Sequence, residues 1–84
     1  MAQFLFLGRL EDVAGVAQMH MPLADISALD AVMDRLPPAL LAALGDSRIR
    51  LAVNGELVGA SRDAGALMIS DADEVAFLPP VSGG

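Results

Sequence analysis

Two adjacent prolines, Pro79 and Pro80, divide the end of this chain from its body. Proline cannot donate a backbone hydrogen bond to a neighbouring strand, so the strand before them ends and the last residues leave the body extended. The six residues 79–84 can reach about 20 Å. The sequence therefore predicts a folded domain over residues 1–78 and an extended, flexible tail over residues 79–84.

The tail ends on Gly83-Gly84, which adds no side chain to a core. Glycine costs conformational entropy and allows a backbone that is unusually narrow. Such a backbone can enter a channel that excludes other residues, with the terminal carboxylate of Gly84 at its tip. We interpret the tail as an arm that presents this carboxylate to an enzyme; the alternative is a frayed terminus.

The first half of the body is predicted as a hairpin followed by helices. Residues 4–7 form a continuous apolar run, and residues 17–23 alternate between apolar and polar, which is typical of two paired strands. A helix follows, with Ser27 as its predicted N-cap and Pro37-Pro38 as its end. Its apolar face comprises Leu29, Val32, Met33 and Leu36. A second helix is predicted from Pro38 to Leu44, closed by Gly45 in a left-handed conformation.

The second half is predicted as a second hairpin and a final strand. Residues 48–54 alternate, with Arg48 and Arg50 facing outward, and Asn54-Gly55 is a strong signal for a two-residue turn. A short strand at 56–58 and a loop at 59–73 precede the last strand, 74–78. The two most apolar strands, first and last, are expected side by side and parallel at the sheet centre. This order predicts an α+β fold of the β-grasp type, with a mixed sheet packed on one main helix.

Composition limits the classes of partner. The chain has 84 residues, a net charge of −6 and no cysteine. The acidic balance argues against nucleic acid, and no apolar run is long enough for a membrane span. We expect a single cytoplasmic domain, without a thiolate metal site, whose 55% hydrophobic content leaves an apolar surface for a protein partner.

No self-sufficient active site is recognisable in the side chains. The only histidine, His20, lies on the polar side of its strand, and the acidic group Asp71, Asp73 and Glu74 is expected to be a solvated turn. We therefore expect no bound metal and no bound cofactor. The reactive group that remains is the carboxylate of Gly84, which is a poor electrophile until a separate enzyme activates it, for example with ATP.

The ending 71–84 resembles the C-terminal signature of the MoaD family, the small sulfur-carrying subunits of molybdopterin synthase. The resemblance extends to residues 5–8 in the first strand and 51–56 in the second hairpin. It implies a ubiquitin-like β-grasp fold and a carrier that is not an enzyme on its own. It also implies three protein partners: an adenylating enzyme (MoeB-like) that uses ATP and magnesium, a sulfur donor such as a protein persulfide, and the large synthase subunit (MoaE-like).

The resemblance assigns a role to each matching position. Gly84 would carry sulfur as a thiocarboxylate and pass it to cyclic pyranopterin monophosphate, while Gly83 would allow passage through the channel. Two small subunits would bind the ends of a large-subunit dimer, giving a heterotetramer. The predicted partner contacts are Leu7, Leu57 and Leu78 as the apolar docking patch, Pro79 and Pro80 as the residues that aim the tail, and Val81 and Ser82 at the mouth of the channel. For Leu7 and Leu57, the alternative is a place in the core.

Two positions depart from the family pattern. The family usually has Arg-Glu soon after the first strand, where this chain has Leu10-Glu11-Asp12, with Arg9 earlier. Ala72 stands where a glycine is common. If the backbone there requires a positive φ, alanine costs about 1 kcal/mol and Ala72→Gly would raise the melting temperature.

Three other functions are compatible with the same tail. A sulfur carrier of the thiamine pathway shares the fold and the terminal glycines. A ubiquitin-like modifier would be joined through Gly84 to lysines of target proteins. A plain interaction module would survive the loss of Gly83-Gly84.

Overall fold

A computed structural model describes residues 1–80. The polypeptide forms a five-stranded mixed sheet, a separate two-stranded ribbon and short helices packed on one sheet face. The strands are β1 (Ala2–Phe6), β2 (Gln18–Met21), β3 (Ser27–Ala28), β4 (Arg50–Val53), β5 (Glu56–Ala60), β6 (Met68–Ile69) and β7 (Glu74–Leu78). The helices are α1 (Arg9–Ala14), α2 (Leu29–Met33) and α3 (Pro38–Leu44), with a 3-10 segment at Ser61–Ala66. No helix within residues 1–80 is long and apolar enough to span a membrane.

The first and last strands lie side by side at the centre of the sheet. The strand order is β2-β1-β7-β4-β5, and β1 is parallel to β7, which confirms the prediction. The register places Phe6 opposite Phe77, and their rings stack with centroids 5.5 Å apart. Phe4 meets Phe77 edge to face at 5.2 Å. These fully buried rings each contribute about 1.5–3 kcal/mol by leaving water, so they fix the central strand pair.

The second hairpin forms as the sequence predicts. Asn54 and Gly55 have φ values of 52° and 84°, the conformation that a tight two-residue turn requires. Asn54 also binds the last strand, because its side chain accepts a hydrogen bond from the backbone N–H of Glu74. The pairing shifts register between Leu51 and Ala52, which makes it irregular, and β5 continues to Ala60 rather than ending at residue 58. β4 begins at Arg50, two residues later than predicted.

The helices confirm the predicted apolar face but not the predicted caps, and α2 ends at Met33 rather than at Pro37-Pro38, so Leu36 lies in the turn that follows it. All four apolar-face residues are buried: Leu29, Val32, Met33 and Leu36. Ser27 does not cap α2; it belongs to β3, pairs with Ile69, and its hydroxyl donates to the carbonyl of Asp25. Gly45 closes α3 with a φ of −76°, so the left-handed cap is wrong. Its backbone N–H instead donates to the Ala42 carbonyl in a tight right-handed turn.

Four short elements escape the sequence prediction: α1, β3, the 3-10 segment and β6. The turn expected after β1 contains α1, which is closed by Gly15 at a φ of 79°. The loop expected at 59–73 contains the end of β5, the 3-10 segment and β6.

Ala72 does not have a positive φ, since Asn54 is the one non-glycine residue within 1–80 that has one. The expected stabilisation by Ala72→Gly is therefore withdrawn.

Candidate docking face and root of the tail

Alternation along the strands separates a buried face of the sheet from an open face. Phe77 points into the core, so its neighbour Leu78 points to the opposite side. The antiparallel register places Arg50 directly opposite Leu78 and places Ala52 opposite Leu57. Leu7 follows β1 and donates its backbone N–H to the Phe77 carbonyl at 3.2 Å, which brings it beside Leu78. The open face therefore carries a row that begins just after β1 and crosses β7, β4 and β5, which we call the docking face: Leu7, Leu78, Arg50 and Leu57. The row slants, because the direct partner of Arg50 in β5 is Ala60 and Leu57 faces Ala52.

The docking face is substantially exposed to solvent. The exposed fraction is 67% for Leu57 and 42% for Leu7, so neither is a core residue. Leu78 is half-buried. Neighbouring strands lie about 4.8 Å apart, so Leu7 and Leu57 are about 14 Å apart measured across the strands. Large apolar side chains gathered on a surface mark a site for a partner.

The tail begins at one edge of this face. Pro79 and Pro80 follow β7 directly, are half-buried, and line an open groove of about 450 Å³. Its other lining residues are Arg48, Arg50, Leu57 and Leu78. The structure thus brings five of the predicted partner residues to one place, with Leu7 on the far side of Leu78. The predicted tail residues Val81, Ser82, Gly83 and Gly84 lie outside the described residues, and the proposed division at residue 78 coincides with the end of β7.

Gly8 is a site residue that the sequence analysis missed. It has a φ of 55°, and a Cβ added there would stand 3.0 Å from Cγ of Pro79. That is closer than real Cβ atoms normally approach a neighbour, so Pro79 packs against Gly8 only because the side chain is absent. A side chain at position 8 would therefore press on Pro79, the first residue of the predicted tail. A glycine directly after a predicted strand is the signal that could have identified it.

Ion pairing distinguishes the two arginines of the groove. The Arg48 guanidinium lies 3.0 Å from the Asp46 carboxylate. Hydrogen bonds from the Arg48 side chain and backbone lower the pKa of Asp46 to about 2. Arg50 has no carboxylate within salt-bridge distance among residues 1–80. The groove is therefore positively charged on a chain whose net charge is negative.

The acidic cluster before β7 holds the turn together. Asp73 accepts hydrogen bonds from the Asn54 side chain at 3.0 Å and from the Ser70 backbone at 2.8 Å, and these bonds lower its pKa. Asp71 accepts from the Leu23 backbone and pairs with the amino group of Met1 at 3.0 Å, which lowers its pKa as well. The expectation of a merely solvated turn is thus incomplete. Within residues 1–80, no group of three or more histidine or acidic side chains could hold a metal ion.

Residues 4–84 match the ThiS family. The chain belongs to that family. This ThiS-family match runs from β1 through the terminal glycines, so it covers the sheet, the docking face and the tail together. No curated protein matches the sequence at a significant level.

Solved structures confirm the ubiquitin-like β-grasp fold of this ThiS-family protein. The crystal structure of small archaeal modifier protein 1 from Haloferax volcanii superposes with a TM-score of 0.74 and 26% identity, covering 99% of this chain and 98% of that chain. The solution structure of small archaeal modifier protein 1 from Methanosarcina acetivorans gives 0.67 and 26%, covering 99% and 95%.

A third similar structure is the complex of subunits 1 and 2 of molybdopterin-converting factor from Helicobacter pylori. It has a TM-score of 0.64 and 23% identity, covering 99% of this chain and 97% of that chain, and at this identity it shows the fold alone. The sequence resemblance is confirmed at the level of the family. The protein is a ThiS/MoaD-type carrier with a ubiquitin-like fold.

Proposed function

We propose that this protein is the sulfur-carrying small subunit of a molybdopterin synthase in the cytoplasm. The observation that carries the proposal is the position of Pro79 and Pro80, the residues with which the tail begins. Pro79 and Pro80 border the same groove as Leu57 and Leu78, so a protein that covers the docking face receives the tail at its own surface. The similarity to a complex of two molybdopterin-converting subunits supports the large subunit as that protein.

The chemistry takes place at the carboxylate of Gly84. An adenylating enzyme joins it to AMP from ATP, with pyrophosphate as the leaving group and magnesium bound by that enzyme. The terminal sulfur of a donor persulfide then attacks the carbonyl carbon and displaces AMP. A thiol reduces the resulting acyl disulfide and leaves a thiocarboxylate on Gly84. The chain has no cysteine, so the terminal carbonyl carbon is where this carrier holds its sulfur.

The body of the protein binds and orients. Docking buries Leu7, Leu57 and Leu78, and Pro79 with Pro80 directs the tail into the large subunit. The thiocarboxylate sulfur then bonds to cyclic pyranopterin monophosphate. Water hydrolyses the bond between that sulfur and the Gly84 carbonyl carbon, which leaves the sulfur on the pterin and a carboxylate on Gly84. Two such small subunits would serve a large-subunit dimer.

Intact-mass measurement of protein purified from its native cells tests this function. Replacement of oxygen by sulfur at the terminus is expected to add about 16 Da, and the increase should disappear when the adenylating enzyme is deleted. An unmodified mass in cells that are synthesising molybdopterin contradicts the proposal. Co-purification with a thiazole synthase instead of the large subunit would assign the protein to the thiamine pathway.

A second function has support from a specific observation. Small archaeal modifier protein 1 from Haloferax volcanii has a similar structure, with a TM-score of 0.74, and its name calls it a modifier protein. The same tail could be joined to lysines of target proteins. Adducts of higher mass that resist both reducing agents and hydroxylamine, and that vanish when Gly83-Gly84 is deleted, are the expected sign of that activity.

A further inference from the structure

Arg50 is a charged residue placed in the middle of an apolar row. It lies opposite Leu78 in the register of β4 and β7, on the strand next to the one that carries Leu57. Its side chain is exposed and lines the groove at the root of the tail. A protein that covers both leucines must also cover the guanidinium between them.

No carboxylate of residues 1–80 lies within 4 Å of the Arg50 guanidinium. Arg48, two residues earlier, is paired with Asp46 at 3.0 Å, whereas Arg50 has no such partner in the described part of the chain. The groove residues described around it include no acid. The carboxylate of Glu74 belongs to the same face of β7 but lies four residues from Leu78, about 13 Å away along the strand.

Covering such a group has a defined physical consequence. Removing a guanidinium from water is unfavourable unless a counter-charge and hydrogen bonds replace the lost solvation. We propose that Arg50 is a specificity-determining residue of the docking face, and that the large synthase subunit places a carboxylate against it. The inference rests on the proposed function, because it takes the large subunit as the protein that covers this face.

The geometry also favours a particular kind of contact. A guanidinium presents a planar set of donors that matches both oxygens of a carboxylate, and this bidentate contact is directional. It would fix the orientation of the docked protein in a way that leucines alone cannot, since apolar contact is non-directional. The rest of this acidic chain would repel an acidic surface, so we expect the partner carboxylate to be local and opposite Arg50.

Binding of the full-length protein to the large subunit from the same genome tests the inference. Calorimetry at low and moderate salt compares the wild type with Arg50→Met, Arg50→Lys and Arg50→Glu. We expect Arg50→Met to weaken binding by about 30-fold or more and to reduce its salt dependence. Arg50→Glu should weaken it further, and Arg50→Lys should fall between the wild type and Arg50→Met because lysine keeps the charge without the planar donors.

Arg62→Glu is the matched control, because Arg62 is an exposed arginine of the 3-10 segment outside the groove. It should leave affinity within about threefold of the wild type, which separates a local contact from the effect of net charge. Thermal melting of every variant checks the fold. One Asp→Arg or Glu→Arg substitution on the large subunit should restore binding of Arg50→Glu by about tenfold.

The outcomes separate this inference from the proposed function. If Arg50→Met and Arg50→Glu bind as tightly as the wild type while Leu78→Asp does not, the docking face stands and the role of Arg50 is overturned. A failure of every Asp→Arg and Glu→Arg variant of the large subunit to restore Arg50→Glu also overturns it. If the wild type itself does not bind the large subunit, the proposed function fails.

Discussion

The two faces of the five-stranded sheet are made from alternate residues of the same strands but have different surroundings. One face packs Phe4, Phe6 and Phe77 against the helices, and these rings are almost completely buried. The other face presents Leu7, Arg50 and Leu57 to solvent. In β7, neighbouring residues therefore serve different purposes: Phe77 holds the fold together, and Leu78 is available to a partner. Substitutions one position apart should consequently separate stability from binding.

Phe77→Ala should have the largest effect, and that effect should be on stability. Phe77 is fully buried and contacts both other phenylalanines. Its truncation is expected to lower the free energy of unfolding by about 3–5 kcal/mol, measured by urea denaturation. A loss below about 1 kcal/mol would mean that the buried face does not hold the sheet together.

Leu78→Asp should weaken binding but leave stability nearly unchanged. A charged side chain in the docking face is expected to weaken binding to the large subunit by about 2 kcal/mol or more, while the melting temperature changes by less than about 5 °C. Val13→Asp is the matched control, since Val13 is 46% exposed and belongs to α1, away from the open face. Equal affinities for Leu78→Asp and the wild type would remove Leu78 from the docking face.

Gly8→Ala tests whether the root of the tail depends on the absence of a side chain. The substitution places a side chain on a backbone with φ of 55° and ψ of −135° and brings a Cβ against Pro79. We therefore expect the free energy of unfolding to fall by about 1–3 kcal/mol and thiocarboxylate formation to slow. Gly15→Ala provides the control, because it also has a positive φ but no atom within 4 Å of the added Cβ. If both variants form thiocarboxylate equally fast, the contact with Pro79 does not position the tail.

Acid should reduce the stability of the turn before β7, and this is the smallest of the four expected effects. The pKa of Asp73 is lowered in the folded protein by its bonds to Asn54 and Ser70, so its contribution to stability is present above about pH 4 and is lost as pH falls through the folded pKa. We expect Asp73→Asn to lower the melting temperature by about 5 °C at pH 7. Below about pH 4, the melting temperature of the variant should fall less with pH than that of the wild type. An unchanged pH profile would show that this carboxylate does not stabilise the turn.

The parts of the fold that sequence predicts are those with strong physical signals. The apolar runs of β1 and β7, the Asn54-Gly55 turn and the helical face of α2 each leave little choice of conformation. The missed elements leave weak signals. Only Leu10 is buried in α1, and β3 and β6 have two residues each, which is too short to show a period.

The candidate site divides in the same way. Alternation along β7 is enough to place Leu78 and Phe77 on different faces of the sheet. The chemistry of proline is enough to predict that the strand ends before Pro79 and Pro80. The meeting of Arg50 with Leu78 could not be predicted, because it depends on the register between strands that are distant in sequence. The ion pair between Arg48 and Asp46 is likewise a property of the folded chain. Of the two groove arginines, Arg50 is then the one without an ion-pair partner within residues 1–80.

The pairing of β1 with β7 has a consequence for synthesis of the protein on the ribosome. These central strands are separated by about 70 residues, so the sheet cannot close until nearly the whole chain has been translated. We expect a polypeptide truncated before β7 to stay unfolded, as circular dichroism would report. The rings of Phe4 and Phe6 therefore stay without their partner Phe77 until the last strand has left the ribosome.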